Sequence, residues 1–187
     1  MNVLLLQGGA IVQNVLVQYQ QYIQSAVIGC SLVNGITAPK SPEFIEFAKQ
    51  VPSTPDEAKQ YQLNFLQYLY TEDMINSPVH QPYLQRVGEI RNKYKRDPQG
   101  CKQQAYALST HNCDDKLGVI NVPVLIQHGT ADKMLLYSNG EMLHKLIANS
   151  ELSTYEGCGH VYWAHEWQKG DEARLPTELR DWFNKHE

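Results

Sequence analysis

The chain has 187 residues, of which 42% are hydrophobic, enough for a single domain with a buried core. The formal net charge of −4 argues against a surface for nucleic acid or anionic membranes, and no apolar run approaches the roughly 18 residues needed to span a bilayer. The four cysteines form no C-x-x-C pair and the N-terminus lacks the basic region of a signal peptide, so a reducing, cytoplasmic compartment is expected.

The first segment is predicted to form a strand, a turn, a helix and a second strand. Residues 2–6 are a short apolar run typical of a buried strand, and residues 7–9 contain two glycines that suit a turn. Apolar Ile11, Val15, Leu16 and Tyr19 then recur at helical spacing. Residues 25–33 are a second apolar run and are predicted to be the next strand.

Residues 39–115 have a different character, with prolines at the start and helical patterns afterwards. Residues 53–57 form a good helix start, because a proline and two acids occupy the first turn. Further helices are predicted across residues 83–94 and 100–110. This segment is therefore predicted to be a helical insert.

Two strands in the last third of the chain are each followed by a residue that can take part in catalysis. Residues 122–128 are predicted to be a strand buried on both faces, and Asp132 follows it. Residues 151–156 are the next predicted strand, with His160 after a loop containing two glycines. A helical pattern separates the two strands, so they should be parallel neighbours, with Asp132 and His160 at the same sheet edge. An acid that orients an imidazole forms two thirds of a Ser-His-Asp triad.

The stretches His128-Gly129-Thr130-Ala131-Asp132 and Glu156-Gly157-Cys158-Gly159-His160 resemble the acid and histidine loops of the α/β-hydrolase superfamily. The resemblance covers residues 118 to the C-terminus well and residues 2–36 more loosely. It implies one partial α/β-hydrolase domain over residues 1–187. Its core would comprise residues 1–38 and 116–187, with a mainly parallel half-sheet of four strands flanked by helices. Residues 39–115 would be the helical cap over the substrate pocket.

The same resemblance implies a hydrolase of the carboxylic-ester type in which Asp132 and His160 are catalytic, with no cofactor and no metal. The family's nucleophile elbow is Gly-x-Ser-x-Gly. Aligning Gly8 and Gly9 with its last glycine and the neighbouring position places Leu6 where the serine belongs, and leucine has no nucleophilic atom. If two residues were deleted instead, the serine is absent. Gln7, after the nucleophile position, would supply one oxyanion donor.

Three hypotheses remain at this point. The chain is the C-terminal part of an ester hydrolase, inactive without its first half and acting on a small ester when completed. Alternatively it is a non-catalytic half-domain that binds a protein partner or a second copy through an edge strand at Val3 to Leu6. The third hypothesis is a small hydrolase with an unrecognised nucleophile.

Overall fold

A computed structural model describes residues 3–94 and 97–187. The strands are β1 (Ala26–Gly29), β2 (Val124–Gly129) and β3 (Ser150–Tyr155). The helices are α1 (Val3–Tyr19), α2 (Pro42–Ala48), α3 (Pro55–Leu69), α4 (Glu72–Asn76), α5 (Gln81–Lys93), α6 (Pro98–Ser109), α7 (Ser138–Leu146), α8 (Tyr162–Trp167) and α9 (Arg174–Lys185). One-turn 3-10 helices lie at Gln20–Tyr22, Leu117–Val119 and Gly170–Glu172.

The three strands form one parallel sheet in the order β1-β2-β3. The register places Ile126 of β2 between Ile28 of β1 and Leu152 of β3. The α/β class and the parallel pairing of the last two strands, both predicted from the sequence, are confirmed. Because parallel strands end at the same edge, the loops after β2 and β3 are neighbours.

Strand β2 lies at the centre of the described sheet, and all six of its residues are buried. Leu16 of α1 and Leu143 of α7 pack with Ile126 on one face of the sheet. On the other face, Glu178 of α9 accepts a hydrogen bond from the Gln127 amide at 2.5 Å. Helices therefore cover both faces, as expected of a parallel sheet.

The strand predicted over residues 2–6 is wrong. Residues 3–6 form the first turn of α1, whereas Met1 and Asn2 lie outside the described residues. A short apolar run carries no periodicity that separates a strand from a buried helix segment, and a helix satisfies its own backbone without a neighbouring strand. The described sheet consequently has three strands instead of four. The proposed edge strand at Val3 to Leu6 does not exist, and β1 is the edge on that side.

The two glycines predicted to form a turn lie inside α1 instead. A Cβ at Gly9 would stand 2.3 Å from Cβ of Ser31, so this glycine lets the helix pack closely against the segment that follows β1. Gln13 strengthens the same contact, because its buried amide donates to the carbonyl oxygen of Leu32 at 2.9 Å. The glycine is thus explained by packing and not by a turn.

Strand β1 is shorter than the strand predicted over residues 25–33. It ends at Gly29 because Cys30 has a φ of 41°, a left-handed conformation that interrupts an extended strand. Leu32 and Val33 are nevertheless fully buried, in the loop that follows. The apolar run therefore reports burial correctly but not strand length.

The described residues between Pro42 and Ser109 form five helices joined by short loops, in the segment where the sequence predicts an insert. Four of these helices, α2, α3, α4 and α6, begin at side-chain caps formed by Ser41, Thr54, Thr71 and Asp97. Such caps satisfy backbone N–H groups that have no partner within the helix. The cluster around Leu69 and Met74 packs against Met134, Leu135 and Val161. The helical segment thus covers the loops that follow β2 and β3.

Among the described residues, no helix combines the length and apolar content that crossing a lipid bilayer requires. The four cysteines are free thiols.

Candidate active site

Asp132 lies three residues beyond the end of β2 and is 3% exposed. Its Oδ1 accepts hydrogen bonds from the backbone N–H groups of Met134 at 2.8 Å and Leu135 at 2.9 Å. An aspartate that accepts N–H groups two and three residues onward forms a compact turn of its own. These bonds fix the carboxylate and leave Oδ2 free to point towards the histidine loop.

The histidine loop is joined to the end of β2 by backbone hydrogen bonds. Thr130 donates to the carbonyl of Tyr155 at 3.1 Å, and Ala131 donates to the carbonyl of Cys158 at 3.0 Å. A Cβ at Gly129 would lie 2.2 Å from the Cys158 carbonyl oxygen, so only glycine permits this approach. The two loops are therefore held together by the backbone, independently of the side chains that they present.

Asp132 and His160, which the sequence predicts to meet, are in direct contact. Nδ1 of His160 lies 2.7 Å from Oδ2 of Asp132, and both side chains are fully buried. Because the ionised carboxylate only accepts hydrogen bonds, Nδ1 carries the proton. Nε2 of His160 is buried and has no hydrogen-bond partner among the described residues. In the neutral imidazole this nitrogen holds the lone pair that a general base uses.

Electrostatics keep Asp132 ionised. Burial alone would raise the pKa of its carboxyl group, but attraction to His160 and hydrogen bonds from His128 and His160 outweigh that effect. The pKa of Asp132 therefore lies well below its ordinary value. A carboxylate that orients a histidine must stay ionised at the working pH, because it must not take the proton itself.

His128 is a second imidazole beside the same carboxylate, and its role was not predicted from the sequence. Its Nε2 lies 3.3 Å from Oδ2 of Asp132 and 3.0 Å from the carbonyl oxygen of Leu135. The carbonyl can only accept, so Nε2 of His128 carries a proton. The available signal was a histidine at the end of a strand otherwise apolar enough to be buried on both faces.

Cys30 completes the group, with its sulfur, the His128 ring and the Asp132 carboxylate mutually within 4.8 Å. These three residues offer ligand types that bind metals. However, the Asp132 oxygens already accept from other groups and Nε2 of His128 is protonated. Burial, followed by the charge of Asp132, raises the pKa of the Cys30 thiol well above its ordinary value. The chemistry fits a hydrogen-bonded cluster better than a metal site.

Gln7, the predicted oxyanion residue, lies in the second turn of α1. In a helix that begins at Val3, its backbone N–H points at the Val3 carbonyl. Its side-chain amide nitrogen is buried without a partner among the described residues. A role for the Gln7 N–H as an oxyanion donor stays a prediction, and it requires the first turn of α1 to open.

The helical segment between Pro42 and Ser109 covers the loop that carries His160. The N–H of Val161 donates to the carbonyl of Leu69 at 3.0 Å, at the end of α3. That same carbonyl lies 3.0 Å from where a Cβ of Gly159 would be. Together these contacts explain why His160 is completely buried.

A parallel sheet with an acid and a histidine after consecutive strands is typical of α/β-hydrolases. The family model described as alpha/beta hydrolase fold matches residues 7–165. The chain belongs to this family.

The curated relatives are hydrolases of two kinds. A proline iminopeptidase of Thermoplasma volcanium is 26% identical over 88% of this chain and 59% of its own length. The human monoacylglycerol lipase ABHD6 is 31% identical over 62% of this chain and 33% of its own. Among solved structures, an esterase from Exiguobacterium antarcticum has a TM-score of 0.69 at 20% identity, over 90% of this chain and 62% of that one. The chain spans less than two thirds of each of these proteins.

Proposed function

We propose that this chain supplies the acid and the base of a hydrolase that cleaves carboxylic esters by nucleophilic catalysis. The observation that carries the proposal is the buried pair in which Nδ1 of His160 lies 2.7 Å from Oδ2 of Asp132 while Nε2 has no partner among the described residues. Nε2 would take the proton of a nucleophile and later return it to the leaving group. Asp132 would hold the ring in the required tautomer and stabilise the imidazolium.

The nucleophile is the part of the mechanism that residues 1–187 do not provide. The elbow alignment gives Leu6 at that position, and Leu6 has no atom that could attack a carbonyl. The family match begins at Gln7, directly after it. Loss of a nucleophile lowers turnover by about a million-fold in a comparable triad. We therefore propose that the isolated chain is inactive towards esters and that activity requires the N-terminal half of the fold.

Residues 39–115 are proposed to be the cap of this hydrolase. The contacts of Leu69, Met74 and Val161 support that role, because they close the site against water. The substrate would be a small ester whose acyl or alcohol part fits beneath these helices. The expectation of a reducing compartment stays a prediction.

A second candidate function is that of a non-catalytic interaction subunit, and a specific observation favours it. In the described sheet, β1 pairs only with β2, so its outer edge has no strand partner. On the adjoining helix α1, the side chains of Ile11 and Tyr19 are 57% and 52% exposed. An open edge beside exposed apolar side chains is typical of a surface that binds another protein.

The catalytic proposal is tested with a chimera. The N-terminal part of the Exiguobacterium antarcticum esterase, through its nucleophile elbow, is fused to Gln7 of this chain and assayed on short-chain aryl esters. We expect hydrolysis that drops to near background in the His160→Ala variant, as removal of the triad base does elsewhere. His144→Ala, which alters an exposed histidine, serves as the matched control. A folded chimera whose activity survives loss of His160 would contradict the proposal.

The inactivity of the isolated chain is tested directly on residues 1–187. Wild type and His160→Ala should give the same near-background rate on the same esters. A rate that disappears in the variant would show that the chain contains a nucleophile of its own.

A further inference from the structure

The Asp132 carboxylate receives more hydrogen-bond donors than a triad acid needs. Two backbone N–H groups bind Oδ1, and the imidazole of His160 binds Oδ2. His128 approaches Oδ2 as a second imidazole at 3.3 Å, from the end of β2. Cys30 approaches from the end of β1. The two imidazoles and the thiol thus lie at, or in the loops directly after, the carboxyl ends of all three described strands.

We propose that His128 and Cys30 are positioning residues, which fix the Asp132 carboxylate in the orientation in which Oδ2 receives His160. The proposal rests on the proposed function for its catalytic meaning, but the hydrogen-bonded arrangement itself can be measured on this chain as it is.

The orientation of the His128 ring indicates that it donates a hydrogen bond to Asp132 and does not act as a general base. Its Nε2–H lies between the Leu135 carbonyl and the Asp132 carboxylate, so one proton serves two acceptors. Nδ1 is buried without a partner among the described residues, which suits an unprotonated nitrogen better than an N–H group that would lack an acceptor. Leu135 itself donates to Oδ1 of Asp132, so His128 links both ends of the turn that holds the acid.

Cys30 provides an independent observation, because it is held in an unfavourable backbone conformation. Its φ of 41° is the sole positive φ at a residue other than glycine among the described residues. Glycine or asparagine would adopt this conformation at lower cost, and such strain persists where the surroundings enforce it. The side chain is completely buried beside the carboxylate. Because burial and the neighbouring charge raise its pKa, the thiol keeps its proton and can donate it to Asp132.

The first measurement needs no variant. Long-range ¹H–¹⁵N spectra distinguish the two tautomers of each histidine. We expect the Nε2–H tautomer for His128 and the Nδ1–H tautomer for His160 in the same molecule. The Nδ1–H tautomer at His128 would overturn the proposal, because that ring could not donate to Asp132.

The second measurement follows the Asp132 carboxyl carbon by ¹³C NMR as the pH is lowered. Replacing His128 with leucine should raise the apparent pKa of Asp132 by about one unit, a tenfold change in proton affinity, since a donor to the ionised form is lost. His128→Gln places an amide N–H near the same position, so the pKa of Asp132 in this variant should return most of the way to the wild-type value. Cys30→Gly should raise the pKa of Asp132 by less, while it removes the backbone strain of the positive φ at this position. Cys30→Ser keeps a hydrogen-bond donor, so the pKa of Asp132 should stay close to that of wild type.

Only the pH range in which each variant keeps a dispersed amide spectrum is used, so unfolding does not enter the comparison. If the leucine and glutamine variants titrate like wild type, His128 merely fills space and the proposal is wrong. Failure of the hydrolase proposal looks different, because the chimera would then be inactive while these tautomers and titrations remain as expected.

Discussion

Replacing Asp132 by asparagine is expected to lower the stability of the domain by about 2–4 kcal/mol near pH 5. The new amide side chain would keep an oxygen for the two backbone N–H groups that now bind Oδ1. Its nitrogen would replace Oδ2 and face the N–H of His160, now at 2.7 Å, and that of His128, now at 3.3 Å. A hydrogen bond to a charged group contributes about 1.5–3 kcal/mol, and removing one partner of a buried pair costs still more. The total cost is smaller than the sum of these values, because the contact with His128 is long and because the asparagine variant no longer buries a charge.

The assay is urea unfolding followed by tryptophan fluorescence. With a slope of about 2 kcal/mol per molar urea, the midpoint should fall by about 1–2 M in the variant. Asp171→Asn is the matched control, because Asp171 is exposed and its replacement should change stability by less than about 0.5 kcal/mol. An unchanged midpoint in the Asp132 variant would refute the reasoning.

The pH dependence gives the same prediction a second check. The pKa of Asp132 is depressed in the folded protein, so its contribution is fully present above the unfolded value of about 3.9 and is lost as the pH falls towards the folded value. The difference in unfolding free energy between wild type and Asp132→Asn should therefore decrease by about 1 kcal/mol between pH 5 and pH 3. A gap that stays constant or widens would show that the carboxylate is not held in its ionised form.

Further substitutions test the packing that positions the site. Gly129→Ala would place a Cβ 2.2 Å from the Cys158 carbonyl oxygen, and a melting experiment should show a loss of about 3 kcal/mol or more together with loss of the His160 Nδ1–H signal. Gly8→Ala is its control, since nothing lies within 4 Å of the new Cβ, and it should stabilise α1 by about 0.5–1 kcal/mol. Thr54→Ala removes the N-cap that accepts from the Glu57 N–H at 3.2 Å and should cost about 1 kcal/mol in the same melting experiment.

The later part of the fold could be predicted because its signals agree with one another. The apolar run at β2, the helical pattern of α7 and the second run at β3 admit one right-handed βαβ arrangement. That arrangement alone is enough to place Asp132 and His160 together from the sequence. The same agreement holds for α3, where proline, acids and an N-cap coincide at the first turn.

The helix at the start of the chain could not be predicted, because the local sequence there does not distinguish a strand from a helix. Residues 3–6 are apolar without a period, and the glycines at positions 8 and 9 suit a turn as well as a close helix contact. The resemblance to a nucleophile elbow favoured a strand, but a strand needs a neighbour to accept its backbone groups. In a helix those groups are satisfied within the segment.

The positions of His128 and Cys30 beside Asp132 could not be predicted for a different reason. His128 and Cys30 are 98 residues apart by their numbers, and no local pattern connects them. Each is ambiguous alone: a histidine within an apolar strand, and a cysteine that behaves as a small hydrophobic residue. Only the order β1-β2-β3 brings the ends of their strands to one edge. Cys30 directly follows β1, His128 is in β2 and His160 is in the loop after β3, so the cluster depends on all three described strands.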